Sequence, residues 1–100
     1  MIHMEPVLID SRTCIGISVR LPQTNLLAIS TPNGYIMCGL LAVERMDELH
    51  PEREVVAARV SGVATFEEML VQKIDAVSQS AIRRGITIGM SGAEALKRMF

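Results

Sequence analysis

The sequence predicts an α+β fold, an antiparallel N-terminal β-sheet followed by helices and short strands in a single compact domain. Three observations carry that expectation. From Pro6 to Leu41, apolar residues recur with a period near two between turn signals. Beyond Leu41 the spacing changes to three and four, with charges between. In the C-terminal half, Thr65-Phe66-Glu67-Glu68 and Ser91-Gly92-Ala93-Glu94 have the form of capping boxes, which mark helix starts.

Each element follows from its residues. Pro6–Asp10 is a short β-rich run closed by the turn cluster Asp10-Ser11-Arg12. Cys14–Leu21 alternates cleanly, with Ile15, Ile17, Val19 and Leu21 on one face and Cys14, Gly16, Ser18 and Arg20 on the other. Pro22–Asn25 is a turn and Leu26–Ser30 a third strand. Asn33-Gly34 is a strong hairpin signal, because both residues tolerate positive φ. Tyr35–Leu41 is a fourth strand, apolar on both faces, and is therefore expected to be covered on both sides. Val43, Met46, Leu49 and His50 sit at helical spacing, and Pro51 ends that helix. The β-branched run Glu54–Val63 reads as a strand. Thr65 caps a short helix to about Val71. Asp75–Arg84 reads as a further helix with Gly85 at C′, Ile86–Ile88 as a short strand, and Ser91 opens the last helix.

The 100 residues suit one domain, residues 1–100, with a β-region of about 5–41. Hydrophobic residues make up 49% and aromatic residues 3%, so aliphatic side chains and seven methionines do the packing. A small core cannot hide that much apolar surface, which points to subunit interfaces and a homo-oligomer. Ten basic and eleven acidic residues give no basic patch for nucleic acid or an anionic membrane. The apolar runs are shorter than the roughly 20 residues of a membrane-spanning helix. Residues 1–6 lack the basic and apolar regions of a secretory signal. Two cysteines make no disulfide framework, so the expected compartment is the cytoplasm. No cofactor or metal motif stands out.

Several residues could carry chemistry. Cys38, beside Gly39 and shortly before a helix start, is a candidate nucleophile; most free cysteines, however, are small buried hydrophobes. Ile88-Gly89-Met90-Ser91-Gly92-Ala93 has the outline of a nucleophile elbow but carries Ala93 where the last glycine belongs. A helix N-cap explains Ser91 without catalysis. Gly89, Ser91 and Gly92 are candidates for holding a small anion on free amides. Arg59, on a strand, is a further ligand candidate through its guanidinium fork, and Arg20 is placed similarly. His50 suits a helix C-terminus, and His3 stands alone.

Four stretches carry a family resemblance. Leu21–Ala28, Asn33-Gly34-Tyr35-Ile36-Met37-Cys38-Gly39, Ala58–Val63 and Gly85–Leu96 together resemble the YunC-like family of bacteria and archaea, whose function is uncharacterised. The resemblance covers nearly the whole chain. It implies an α+β domain whose N-terminal β-region mediates tetramerisation, and it implies no reaction and no catalytic residue. The functional expectation is a cytosolic homo-oligomer, a tetramer, of structural or small-ligand-binding type, with any small anionic ligand near Cys38 and the Gly89–Gly92 turn. The alternative is a thiol-dependent enzyme using Cys38 in an intersubunit pocket. Charging strand residues such as Val19 or Ile36 is expected to weaken the oligomer.

Overall fold

The computed structural model describes residues 2–22, 24–38 and 55–100. Its order of elements is β1 (Ile2–Ile9), β2 (Arg12–Leu21), β3 (Thr24–Thr31), β4 (Gly34–Cys38), β5 (Ala57–Val60), α1 (Phe66–Val71), β6 (Ala76–Val77), α2 (Gln79–Arg83) and α3 (Gly92–Lys97). The six strands form one sheet in the order β1-β2-β3-β4-β5-β6. The fold class is α+β, as the sequence predicts. The expected helix over 43–50, ended at Pro51, lies outside the described residues.

The first four strands are an antiparallel meander, with two-residue turns at its first and third connections. At the first, Ile9 pairs with Arg12 across Asp10 and Ser11, whose φ values of 47° and 70° suit the twist of a tight hairpin. The second joins Leu21 to Thr24. The third joins Thr31 to Gly34 across Pro32 and Asn33, one residue earlier than the Asn33-Gly34 hairpin the sequence suggests. Gly34 has no positive φ and belongs to β4. Its need for glycine is one of space: a Cβ there would lie 2.7 Å from the Val56 carbonyl oxygen. Thr31 holds the turn, its hydroxyl accepting from the Asn33 N–H (3.3 Å) and lying 2.9 Å from Gly34 O and 3.1 Å from Met99 O.

β5 then pairs with β4 in parallel, Ile36 opposite Ala58 and Cys38 opposite Val60. β6 closes the sheet, antiparallel to β5. Here the structure corrects the expected Asp75–Arg84 helix. Ala76 and Val77 pair with Arg59 and Ala58, and the helix begins only after Ser78. The Ser78 hydroxyl is fully buried; it donates to Val55 O and accepts from the N–H groups of Ala57 and Ala81. One side chain thus ties the start of β5 to the cap of α2. Ile86–Ile88 forms no strand: Ile86 is buried beneath the turn after α2, and Ile88 is exposed.

Helices α1 and α3 pack together over one face of the sheet. That face contributes Val7, Ile9, Cys14, Leu27, Ile29, Ile36, Cys38, Ala58 and Val60; the helices add Met69, Ala95 and Leu96, and Met99 follows α3. Burying each larger aliphatic side chain contributes about 1.5–3 kcal/mol. A smaller cluster of Met37, Ala57 and Ala76 lies on the opposite face. β4 is therefore buried on both faces, through Ile36 and Cys38 on one and Met37 on the other.

Helices α1 and α3 start where the capping sequences place them. Thr65 Oγ1 accepts from Glu68 N–H, while the Glu68 carboxylate reaches back to the N–H of Ala64. Ser91 Oγ accepts from Glu94 N–H. Gly92 lies against the Met69 carbonyl, and any side chain there would collide with that backbone. Substituting Gly92→Ala is expected to lower unfolding stability by about 3 kcal/mol, the upper range for overpacking, because backbone must yield. Urea unfolding of the variant beside wild type measures this.

Candidate functional site

The sequence-predicted site residues fall in different places. Cys38 ends β4 on the helix-covered face, 4% exposed, and its Sγ accepts from the Leu27 N–H at 3.4 Å. Arg59 pairs in register with Met37, whereas Cys38 pairs with Val60. Side chains of adjacent strand residues point to opposite faces, so Arg59 and Cys38 project from opposite sides of the sheet. Gly89 is exposed in a turn at φ +98°. Ser91 spends its oxygen on the α3 cap, and Gly92 is packed between Met69 O and the Ile36 side chain. His3 pairs with Glu5 at 2.9 Å. His50 lies outside the described residues. Among the described residues, no group of three or more His, Cys, Asp and Glu could hold a metal ion.

Arg59 is engaged within the chain. Its Nε donates to the Asp75 carboxylate at 2.8 Å. Burial pushes the Asp75 pKa up, but hydrogen bonds from Ser61 and Arg59 and the guanidinium charge outweigh that and hold it below the ordinary value. Burial alone pushes the Cys14 thiol and the Tyr35 phenol up.

Among the described residues, two cavities open on the surface. One, of about 250 Å³, is lined by Ile9, Asp10, Arg12 and Lys97. Its charges already have partners: Lys97 Nζ is 3.1 Å from the Asp10 carboxylate, and the Arg12 guanidinium lies 5.1 Å over the Phe100 ring. The other, of about 290 Å³, is lined by Asn33, Val56, Ser80, Arg83 and Arg84. It sits between the β3–β4 turn and the end of α2. Arg83 Nη2 donates to Ser80 Oγ at 3.0 Å. Sequence reasoning places Arg83 and Arg84 at a helix end and goes no further. A usable signal exists: four residues upstream stand Gln79 and Ser80, so neither arginine has a helical acidic partner.

The family profile described as a domain of unknown function, DUF1805, matches residues 37–99. The chain belongs to the DUF1805 family. It is 39% identical, over 99% of its length and 98% of the relative's, to the uncharacterized protein YunC of Bacillus subtilis (strain 168). A crystal structure of a protein of unknown function, TA1206 from Thermoplasma acidophilum, is similar with a TM-score of 0.87 at 28% identity. That match covers 100% of this chain and 94% of the other. This DUF1805 chain therefore belongs to a family of unknown function, as its resemblance implies. Among the described residues, no helix is long and apolar enough to cross a membrane.

The Asp75 environment makes a pH prediction. A carboxylate whose folded pKa is depressed contributes stability above its unfolded pKa and loses it as pH falls through the folded value. The stability deficit of Asp75→Asn relative to wild type is therefore expected to be constant near neutrality. It should shrink once pH drops below about the ordinary value of 3.8. Urea midpoints across an acid series read this out.

Proposed function

We propose that this protein is a cytosolic homotetramer of structural or small-ligand-binding type, assembled through its N-terminal β-region. The observation that carries the reading is the outward face of β1 and β2. Ile2, Met4, Leu8 and Ile15 are 68%, 60%, 71% and 47% exposed. Ile17 and Val19 lie between them, paired with Met4 and Ile2. This face of the two strands carries no charged residue.

The other face of the same strand ends is polar where the described helices do not reach it, with His3, Glu5 and Arg20 exposed. Polar residues thus meet solvent on one side, and a contiguous apolar patch lies open on the other. Such patches mark interaction surfaces. A second copy of the chain is the partner argued for, because an uncharged apolar face is complementary to itself about a two-fold axis. β1 is also an edge strand of eight residues, and such an edge offers unpaired backbone groups to a neighbour. A face and an edge are two distinct self-complementary surfaces, which suits a tetramer of dihedral symmetry. The tetramerisation implied by the family resemblance agrees with this.

The alternative, a thiol-dependent enzyme, needs access to Cys38. Its burial in the core and its bond from Leu27 N–H favour a packing role. Ile36, which the sequence offers as an oligomer probe, faces the helices at 0% exposure and tests the core instead. The discriminating variants are Ile17→Glu and Val19→Glu, with Ser18→Glu on the opposite face as control. Sedimentation velocity across a dilution series is expected to show wild-type and Ser18→Glu oligomers. Each of the other two should associate about 100-fold more weakly, because a charge would be stranded in a buried interface. A stable, folded wild-type monomer at micromolar concentration overturns the reading.

A further inference from the structure

We infer that the cavity between the β3–β4 turn and α2 is a binding site for a small phosphoryl-bearing anion. Two arginines line it, Arg83 and Arg84, and among the described residues no acidic side chain does. Neither arginine makes an ion pair within the described chain, whereas the cations at the other cavity are already engaged. Arg98 adds a third positive charge nearby, its Nη1 3.2 Å from where a Cβ on Gly85 would lie.

The guanidinium of Arg83 is oriented rather than free. Ser80 Oγ, on a residue only 7% exposed, accepts from its Nη2 at 3.0 Å. One nitrogen is thereby anchored and the remaining N–H groups of the fork stay available. Arginine forks match the spacing of phosphate oxygens and bind them bidentately, with little loss of side-chain freedom when preoriented. Asn33, carried on the turn that Thr31 fixes, brings a neutral amide to the opposite wall.

The volume of about 290 Å³ is at the lower end for small-molecule pockets, enough for a phosphoryl group with a small polar body. Val56 is the single apolar residue among the described lining, and none of that lining is an aromatic ring that could stack a base. The described lining offers no cysteine, histidine or carboxylate, and the inference is one of ligand binding. The ligand class is a compact, polar phosphate compound.

This site lies away from the exposed β1–β2 face, so it and the assembly reading stand or fall separately. The test titrates inorganic phosphate and pyrophosphate into the full ¹⁵N-labelled chain at constant ionic strength, with chloride as the counter-anion. Amide shifts are followed in wild type, Arg83→Ala, Arg84→Ala and Lys73→Ala. Lys73 is an exposed cation outside the cavity and controls for net charge. The expected result is saturable binding with shifts concentrated at Asn33, Val56 and Ser80–Arg84, tighter for pyrophosphate. Either arginine variant should weaken binding by about 10-fold or more, the scale of a lost charge-assisted hydrogen bond. Lys73→Ala should change it by less than about 2-fold, as expected for a distant screened charge. Because Arg83 and Arg84 are exposed, the variants should keep the wild-type sedimentation and thermal midpoint. Non-saturable shifts, shifts scattered away from the cavity, or equal weakening by Lys73→Ala overturn the assignment.

Discussion

A β-sheet has two faces, and both must be satisfied. In this protein the described helices cover one face over its central strands. The polar outer stretch of that face, with His3, Glu5 and Arg20, needs no cover. The opposite face of β1 and β2 is apolar and open. Most of the architecture follows from this division. β4 sits where both faces are buried, so it is apolar throughout. β2 places its small residues, Cys14 and Gly16, beneath the core, and its isoleucines outward. At Gly16 a Cβ would lie 3.0 Å from the Phe66 ring, so that core leaves room for little else.

The rest of the fold serves to hold the helical layer close. Gly92 lets α3 approach the end of α1, and Ser91 caps it there. Thr31 links the β3–β4 turn to the chain just past α3 through Met99 O. Ser78 links the start of β5 to α2. These are small polar or missing side chains at points of backbone contact, where a buried group without a partner would cost about 1–3 kcal/mol. The same links position the arginine cavity, because the β3–β4 turn and α2 supply its two walls.

Much of this was legible in the sequence, and the failures have physical causes. Period-two alternation reveals the antiparallel strands and the two faces of β2 and β4, but the first half of β1, Ile2–Glu5, lacks a continuous apolar run and is not legible. Alternation did not reveal which face the helices cover, because the more hydrophobic face of β2 is the uncovered one. Asn33-Gly34 looked like a positive-φ turn, yet Gly34 is glycine because Val56 O approaches it. Ala76 and Val77 carry helical spacing toward Ala81, but pairing with β5 overrides local preference. The parallel β4–β5 pairing has no local signature at all. The Thr65 and Ser91 helix caps are legible because their chemistry lies within four residues. Among site residues, Cys38, Arg59 and the Gly89–Gly92 turn were visible as residue types, but their grouping was not. The sheet separates Cys38 from Arg59, and the arginine cavity joins segments remote in sequence.

The central claim is that a second copy of the chain covers the apolar β1–β2 face. Met4, in the middle of that face and 60% exposed in the single chain, reports on it directly. Peroxide oxidation of Met4, followed by mass spectrometry across a protein dilution series, is the most direct measurement. The account predicts strong protection at concentrations where the protein is associated and loss of protection on dilution. Oxidation of Met4 at the rate of a free methionine peptide, at every concentration, would contradict it.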